Sequence, residues 1–300
     1  MRTQAEFEAA IADMLATGNM LVLDASTNIT LTSTVTVTAT TAVASGRPWG
    51  IIGNGAKLQW AGPGGQDVLV FTGGSGQPTR DLIVEGLSID GNGYAGAAAG
   101  ACLKLSCPLG DGGPLYKFTL RDIYTAWATN GVVLEGGVYE GACYNVHAEN
   151  HLLDGVAMHH LPNAIVSNVF LFGVNSSRNL GAGISSVYSC NVYGGSFILN
   201  GAGGIVAPEG IRLVDGINGE NTGESVILLG SNGYGSVILA SEASSDGVTV
   251  ARKYVNGQWV NVGKPCLYLI NMQAAHGAIQ QYNHVSYYGT ASPNPMRVVK

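Results

Sequence analysis

Short apolar strands recur every twenty-odd residues along most of this chain, parted by Gly, Asn and Asp. Leu120-Arg121-Asp122-Ile123-Tyr124, Tyr144-Asn145-Val146-His147 and Ser167-Asn168-Val169-Phe170 align with Asp122, Asn145 and Asn168 in one column, at steps of 23 residues. A second column holds Gly131-Val132, Gly155-Val156, Gly183-Ile184 and Gly204-Ile205, at steps of 24, 28 and 21. Such a period marks a solenoid, in which each turn buries its apolar face against its neighbours. Rungs are expected to begin near Asp81, Lys117, Ala142, Asn163, Cys190 and Ile211.

Other elements frame the repeat. Residues 3–16 predict an amphipathic helix: Thr3-Gln4-Ala5-Glu6 is a capping box, Phe7, Ile11, Met14 and Leu15 share one face, and Gly18 ends it. Laid across the first rung, it would close the open end of the solenoid. Strand-like runs follow at Met20 to Leu23, Thr30 to Thr40 and Gly50 to Trp60; in Thr34-Val35-Thr36-Val37-Thr38 the valines should face in and the threonines out. Tyr94 to Pro114 reads as a loop that opens the first regular rung, and Asn256-Gly257 predicts a hairpin. The expected organisation is a capping helix over residues 1–19, a parallel β-helix over 20–247, and a hairpin and cap or subunit-contact region over 248–300.

Composition narrows the function classes. Charged residues make up only 11% of the chain and Gly 44 of 300 positions, which suits stacked strands with tight corners. A net charge of −6 leaves no basic footprint for nucleic acid. The longest apolar stretches fall short of a membrane span, and the N-terminus lacks a signal peptide's basic-then-apolar order. Five cysteines without a CxxC argue against a disulfide framework or zinc site. Cys143 and Cys190 begin strands and read as buried, reduced packing residues, in keeping with folding in a reducing cytoplasm.

The entry helix, the Ile51-Ile52-Gly53-Asn54-Gly55-Ala56 element and Leu87-Ser88-Ile89-Asp90-Gly91-Asn92-Gly93 give the chain a resemblance to right-handed parallel β-helix proteins of the pectate-lyase-like superfamily, bacteriophage tailspikes among them. It covers most of residues 3–240. The implied fold is all-β with one N-terminal helix. The implied function is binding, and cleavage, of a bacterial surface polysaccharide by a homotrimer on a virion tail or elsewhere outside the cell. No cofactor and no bound metal are expected. The Asn-Thr-Asp, Asp-Asp, Gly-His-Gly and Arg-x-Lys motifs of polygalacturonase-like members are missing apart from Ala275-His276-Gly277, as is the Asp cluster of calcium-dependent lyases.

Stacking the columns places candidate site residues. Leu87, Ile123, Val146 and Val169 should point inward. Ser88, Tyr124, His147 and Phe170 then face out, followed two residues on by Asp90, Ala126, Glu149 and Phe172. Asp90 and Glu149 would sit two rungs apart, roughly 9–10 Å, a separation suited to an inverting glycosidase. On this reading Glu149 is the general acid and Asp90 the base. Tyr124, Trp127, His147, Phe170, Phe172 and Arg178 would hold the sugar, with Arg178 in an enlarged turn from Asn175 to Gly181. Asp90 has a second reading, as a side chain that only shapes its own turn. A further pair, Glu135 and His159, lies one rung apart on the next face, near His151, Asp154 and His160. It would abstract a proton in a lyase or epimerase, bind a metal with His160, or be a solvated charge pair. Hydrolysis is preferred to elimination because paired acids are easier to place than a lyase's Arg or Lys; a non-catalytic receptor-binding fibre or adhesin is the rival reading.

Overall fold

A computed structural model describes residues 2–207 apart from 41–42, 44–46, 75–77, 109–112 and 187–189; beyond 207 it describes only the backbone of short strands between Leu213 and Ala274. The helix Gln4–Thr17 carries the capping box on Thr3 and Glu6, ends at the left-handed Gly18, and buries Phe7, Ile11 and Met14. Its Gln4 side chain accepts from the backbone N–H of Thr32 (2.8 Å) and donates to Ser33 Oγ (2.8 Å), fastening it over the first rung.

The chain then winds through three parallel sheets. The first takes Trp49–Trp60, Leu82–Asp90, Thr119–Arg121 with Tyr124–Ala126, Ala142–Tyr144 with His147–Glu149, Val169–Ser177 and Cys190–Ile198 in spatial order. The second runs from Val35–Thr38 through Leu69–Thr72, Ala101–Cys107, Asn130–Gly136, Val156–His159 and Ala182–Ser185 to Gly203–Ala207. The third holds Thr79–Arg80, Leu115–Tyr116, Val138–Tyr139 and Val166–Ser167. Ala101–Cys107 is therefore a paired strand inside the stretch expected to be a loop. Alternation sends every second side chain inward, so Val84, Leu120, Cys143, Leu171 and Val192 stack in register in the core. Leu103, Val132, Val156, Ile184 and Ile205 do the same in the second sheet, as the Gly-Val column predicts. Val35 and Val37 are buried and Thr36 and Thr38 exposed. Cys102, Cys107, Cys143 and Cys190 are buried free thiols.

Parallel pairing continues past residue 247, through Val248–Thr249, Leu267–Leu269 and Gln273–Ala274. The expected hairpin is present, with Arg252–Val255 antiparallel to Gln258–Asn261.

The Asn column needs correction. Asp122 and Asn145 occupy one left-handed corner (φ 51° and 52°), but its next members are Gly173 and Gly194 (φ 61° and 64°). Asn168 (φ 54°) belongs to a different corner with Asp81, Lys117 and Glu140. His147 therefore pairs with Asn175, not Phe170, and Glu149 with Ser177, not Phe172. Phe170 and Phe172 lie before the Gly173 bend, opposite Ala142 and Tyr144, and so on a separate face. Asn175–Ser177 finishes a strand rather than opening a turn, and exposed Arg178 is itself a left-handed corner residue.

One buried ladder is polar. Asn179 Nδ2 donates to Asn200 Oδ1 (2.8 Å) and Ser176 Oγ (2.9 Å), and Asn179 Oδ1 accepts the His151 N–H (3.0 Å). His151 heads the ladder: its Nδ1 accepts the Ala128 N–H (3.2 Å) and its Nε2 lies 3.1 Å from Thr125 Oγ1. That places His151 inside the coil, away from any outer face.

Candidate functional site

Two outward columns run side by side on the first sheet beyond the Asp122–Asn145 corner. One is Lys57, Ser88, Tyr124, His147 and Asn175; the other is Gln59, Asp90, Ala126, Glu149 and Ser177. Register thus unites Asp90, Tyr124, His147 and Glu149 as expected and adds Lys57, which sequence reasoning missed. Its signal was the alternation Ala56-Lys57-Leu58-Gln59-Trp60, which turns Lys57 and Gln59 outward. A cleft of about 330 Å³ opens over these columns, lined by Lys57, Gln59, Asp90, Tyr124 and Trp127, with small Ala126 among its walls.

Tyr124 is 38% exposed, and its hydroxyl donates a short hydrogen bond to Glu149 Oε1. Partial burial, together with the bond to Glu149 and the nearby carboxylate of Asp90, pushes the phenol pKa well above its ordinary range, so it holds its proton. Asp90 Oδ1 accepts the N–H of Asn92 (2.8 Å), so the turn-shaping role is real, and the same residue also lines the cleft. Gly91 and Gly93 belong to the same device. A Cβ on Gly91 would lie 2.5 Å from the Cβ of Ala128, and one on Gly93 2.6 Å from the Trp127 carbonyl oxygen. The Asp-Gly-Asn-Gly phrase is thus a close approach between two rungs. Beside it, Asn145 Nδ2 donates to Asp122 Oδ1 (2.6 Å), and His147 Nε2 lies 3.0 Å from Asn145 Oδ1 and 3.3 Å from Asn175 Nδ2.

The aromatic candidates divide. Trp127 lines the cleft. Phe172 is sandwiched between Tyr144 and Tyr193, with ring centroids 5.0 and 5.1 Å away and planes within 12° of parallel. Phe170 lies alongside it (6.3 Å, 8°), and Arg121 covers Tyr144 (5.3 Å) while pairing with Glu85 (3.5 Å). Both faces of Phe172 are occupied, which removes the surface a pyranose would stack on; this ladder binds rungs to one another. Arg178 is not among the residues lining the cleft.

Glu135 and His159 are in register on the second sheet, but Glu135 is engaged elsewhere. Its Oε1 accepts from Ser106 Oγ (2.6 Å) and pairs with Lys104 Nζ (2.9 Å), which also reaches Asp67 (3.4 Å). Burial alone would lower the Lys104 pKa; the Glu135 hydrogen bond and the charges of Asp67 and Glu135 outweigh it and raise the net value. Glu135 is thus a member of an ion-pair network with Lys104 and Asp67. Asp154 is held by the Ala182 N–H (2.7 Å), and burial raises its pKa. His160 Nδ1 accepts the Val166 N–H (3.2 Å). Among the described residues no three His, Cys, Asp or Glu side chains gather to hold a metal ion, and no helix is long and apolar enough to cross a membrane.

No family model matches the chain, and no curated protein matches it in sequence. Solved structures do match in fold. An alginate lyase from Paenibacillus sp. str. FPU-7 aligns with a TM-score of 0.64 at 14% identity, over 93% of this chain and 95% of the other. The A-module of a mannuronan C-5 epimerase of Azotobacter vinelandii aligns with a TM-score of 0.51 at 13% identity, over 95% and 96%. A fainter likeness, TM-score 0.44 at 12% identity over 94% and 88%, is to PfbA, a surface adhesin of Streptococcus pneumoniae. Parallel pairing in three sheets, left-handed corners repeated rung by rung and a helix closing one end agree with the alignments to the lyase and the epimerase: the chain is a right-handed parallel β-helix.

Proposed function

We propose that this β-helix acts on a carboxylate-bearing polysaccharide, abstracting a sugar proton in the manner of a lyase or epimerase. The observation that carries the reading is the hydrogen bond from the Tyr124 hydroxyl to Glu149. That bond joins the phenol directly to a carboxylate able to take its proton. Asp90 in turn accepts the backbone N–H of Asn92. Hydrolysis needs one member of the pair to donate a proton to the departing oxygen, whereas both side chains here are engaged as acceptors, by Tyr124 and by Asn92. Tyr124 and Glu149 instead form a relay. The phenol oxygen takes the proton from the carbon beside the sugar carboxylate as its own proton passes to Glu149. Lys57, in the same column and without an ion pair among the described residues, neutralises the sugar carboxylate as charge builds there. His147 returns a proton, to the departing oxygen in elimination or to the same carbon in epimerisation.

The lyase and the epimerase of like fold are described as acting on alginate and mannuronan, so alginate is the first substrate to try. Unsaturated, ultraviolet-absorbing ends identify a lyase; solvent deuterium entering intact polymer identifies an epimerase. Saturated reducing ends would refute proton abstraction and favour the second reading, hydrolysis by Asp90 and Glu149, whose two-rung separation with Ala126 between them suits an inverting pair. Bound but unaltered polymer would make the chain a recognition module. The tailspike setting, a homotrimer outside the cell, belongs to the same proposal; the mass of the protein in solution tests the trimer.

A further inference from the structure

Tyr94 is the most exposed large hydrophobic side chain among the described residues, at 82%. It is nonetheless held in place. The turn that carries it hangs from Asp90, whose carboxylate accepts the Asn92 N–H. The N–H groups of Ala95 and Gly96 both donate to Asn92 O (3.3 and 3.0 Å), and the Gly93 N–H donates to the Trp127 carbonyl (2.5 Å). The Tyr94 ring meets the Trp127 indole at 5.2 Å between centroids, tilted by 57°.

That tilt separates this pair from the stacked ladder around Phe172. In the Tyr144–Phe172–Tyr193 ladder the planes are near parallel and cover each other's faces. A tilted pair sets an edge against a face and leaves ring faces open. Trp127 also lines the cleft that holds Asp90 and Tyr124. An aromatic fixed on a hydrogen-bonded turn, exposed, and joined to the wall of a polar cleft has the form of a stacking platform for the apolar face of a pyranose.

We propose that Tyr94 and Trp127 form a glycan-binding subsite at the edge of the cleft, which holds a sugar unit outside the reacting position. The inference rests on the reading of the cleft as a polysaccharide site. Tyr94 touches no reacting group, so it acts on binding alone.

The test is a titration of intrinsic tryptophan fluorescence with alginate, with a neutral dextran and with a sulfated dextran. It is run on the parent chain, Glu149→Gln, Tyr94→Ala and Tyr94→Phe, with turnover measured beside it. The expected result is that Tyr94→Ala weakens binding of the recognised polymer about tenfold, the upper range of an aromatic stacking contact. Tyr94→Phe should restore it, and any turnover should show a raised KM at unchanged kcat. Equal affinity of Tyr94→Ala and parent overturns the subsite and leaves the proposed reaction standing if turnover persists. Binding that depends on Tyr94 in a parent without turnover supports the subsite and sinks the reaction. Binding of none of the three polymers overturns the subsite.

Discussion

Lowering the pH should loosen this coil at His151. Burial pushes the imidazole pKa down to about 4 from an ordinary 6.5. The contacts supply the reason: Nδ1 accepts the Ala128 N–H, so a proton there would face a donor, and no solvent reaches the ring to relieve it. The unfolded chain therefore binds the proton first as pH falls. Stability is complete above pH 6.5, declines between 6.5 and 4, and by linkage loses about 2 kcal/mol from this group alone between pH 7 and pH 5. Near pH 4 the loss reaches about 3 kcal/mol, a large fraction of what holds a typical domain folded.

The variant that isolates the effect is His151→Asn, which lengthens the Asn179–Asn200 ladder by one rung with a side chain that does not titrate. Urea unfolding of parent and variant at pH 7 and pH 5 gives four free energies. Carboxylates common to both chains cancel in the double difference. The variant should be less pH-sensitive by about 2 kcal/mol. Equal pH dependence within about 0.5 kcal/mol, the usual margin for independent sites, would refute the claim that His151 folds neutral.

Other consequences follow from single contacts. Tyr124→Phe removes only the hydroxyl that reaches Glu149; turnover should fall by about 10² or more while polymer binding survives, and a Phe variant with parental kcat would end the relay. Gly50 sits at φ +127°, with its Cβ position 2.0 Å from the Ile83 carbonyl oxygen; Gly50→Ala should cost about 3 kcal/mol by chemical denaturation, and a loss under about 1 kcal/mol would mean the corner yields. Arg121 is half exposed in its pairing with Glu85, so Arg121→Ala should cost less than about 1 kcal/mol despite its place over Tyr144; a larger loss in thermal unfolding would make the aromatic ladder depend on its cationic end.

The valines of the Gly-Val column were legible because only a buried, β-branched position at the same point of each rung explains them, and the structure stacks them without a slip. The helix was legible because its cap chemistry is local. The acid face was half legible. Asp90, Tyr124, His147 and Glu149 lie on strand phrases that align by their apolar neighbours although the rungs between them differ in length (36 residues from Asp90 to Ala126, 23 from Ala126 to Glu149), whereas Lys57 lies just after a bulge between Ile52 and Ala56, where counting fails. Tyr94 left no periodic trace, since it sits on a turn rather than a strand.

The Asn column failed for a different reason. Asn, Asp and Gly tolerate the left-handed conformation anywhere, and each rung here turns several such corners: Glu140, Asn145 and Asn150 are all left-handed within one rung. The residue type announces the conformation and not which corner it serves. Yet the chain held the discriminating fact. Glu135 pairs with His159, a step of 24, whereas Val138 pairs with Val166, a step of 28. Four extra residues therefore lie between His159 and Val166, where Leu161 and Ala164 bridge to each other. The Gly-Val column showed the same lengthening as its step of 28, while the Asn column kept 23 through that rung; both could not be right. Strand positions buried on both sides of a ladder fix register more firmly than corners do, so the valines should have overruled the asparagines. Had they done so, Glu149 would have been set beside Ser177, and Phe172 assigned to the ladder that stitches the rungs together.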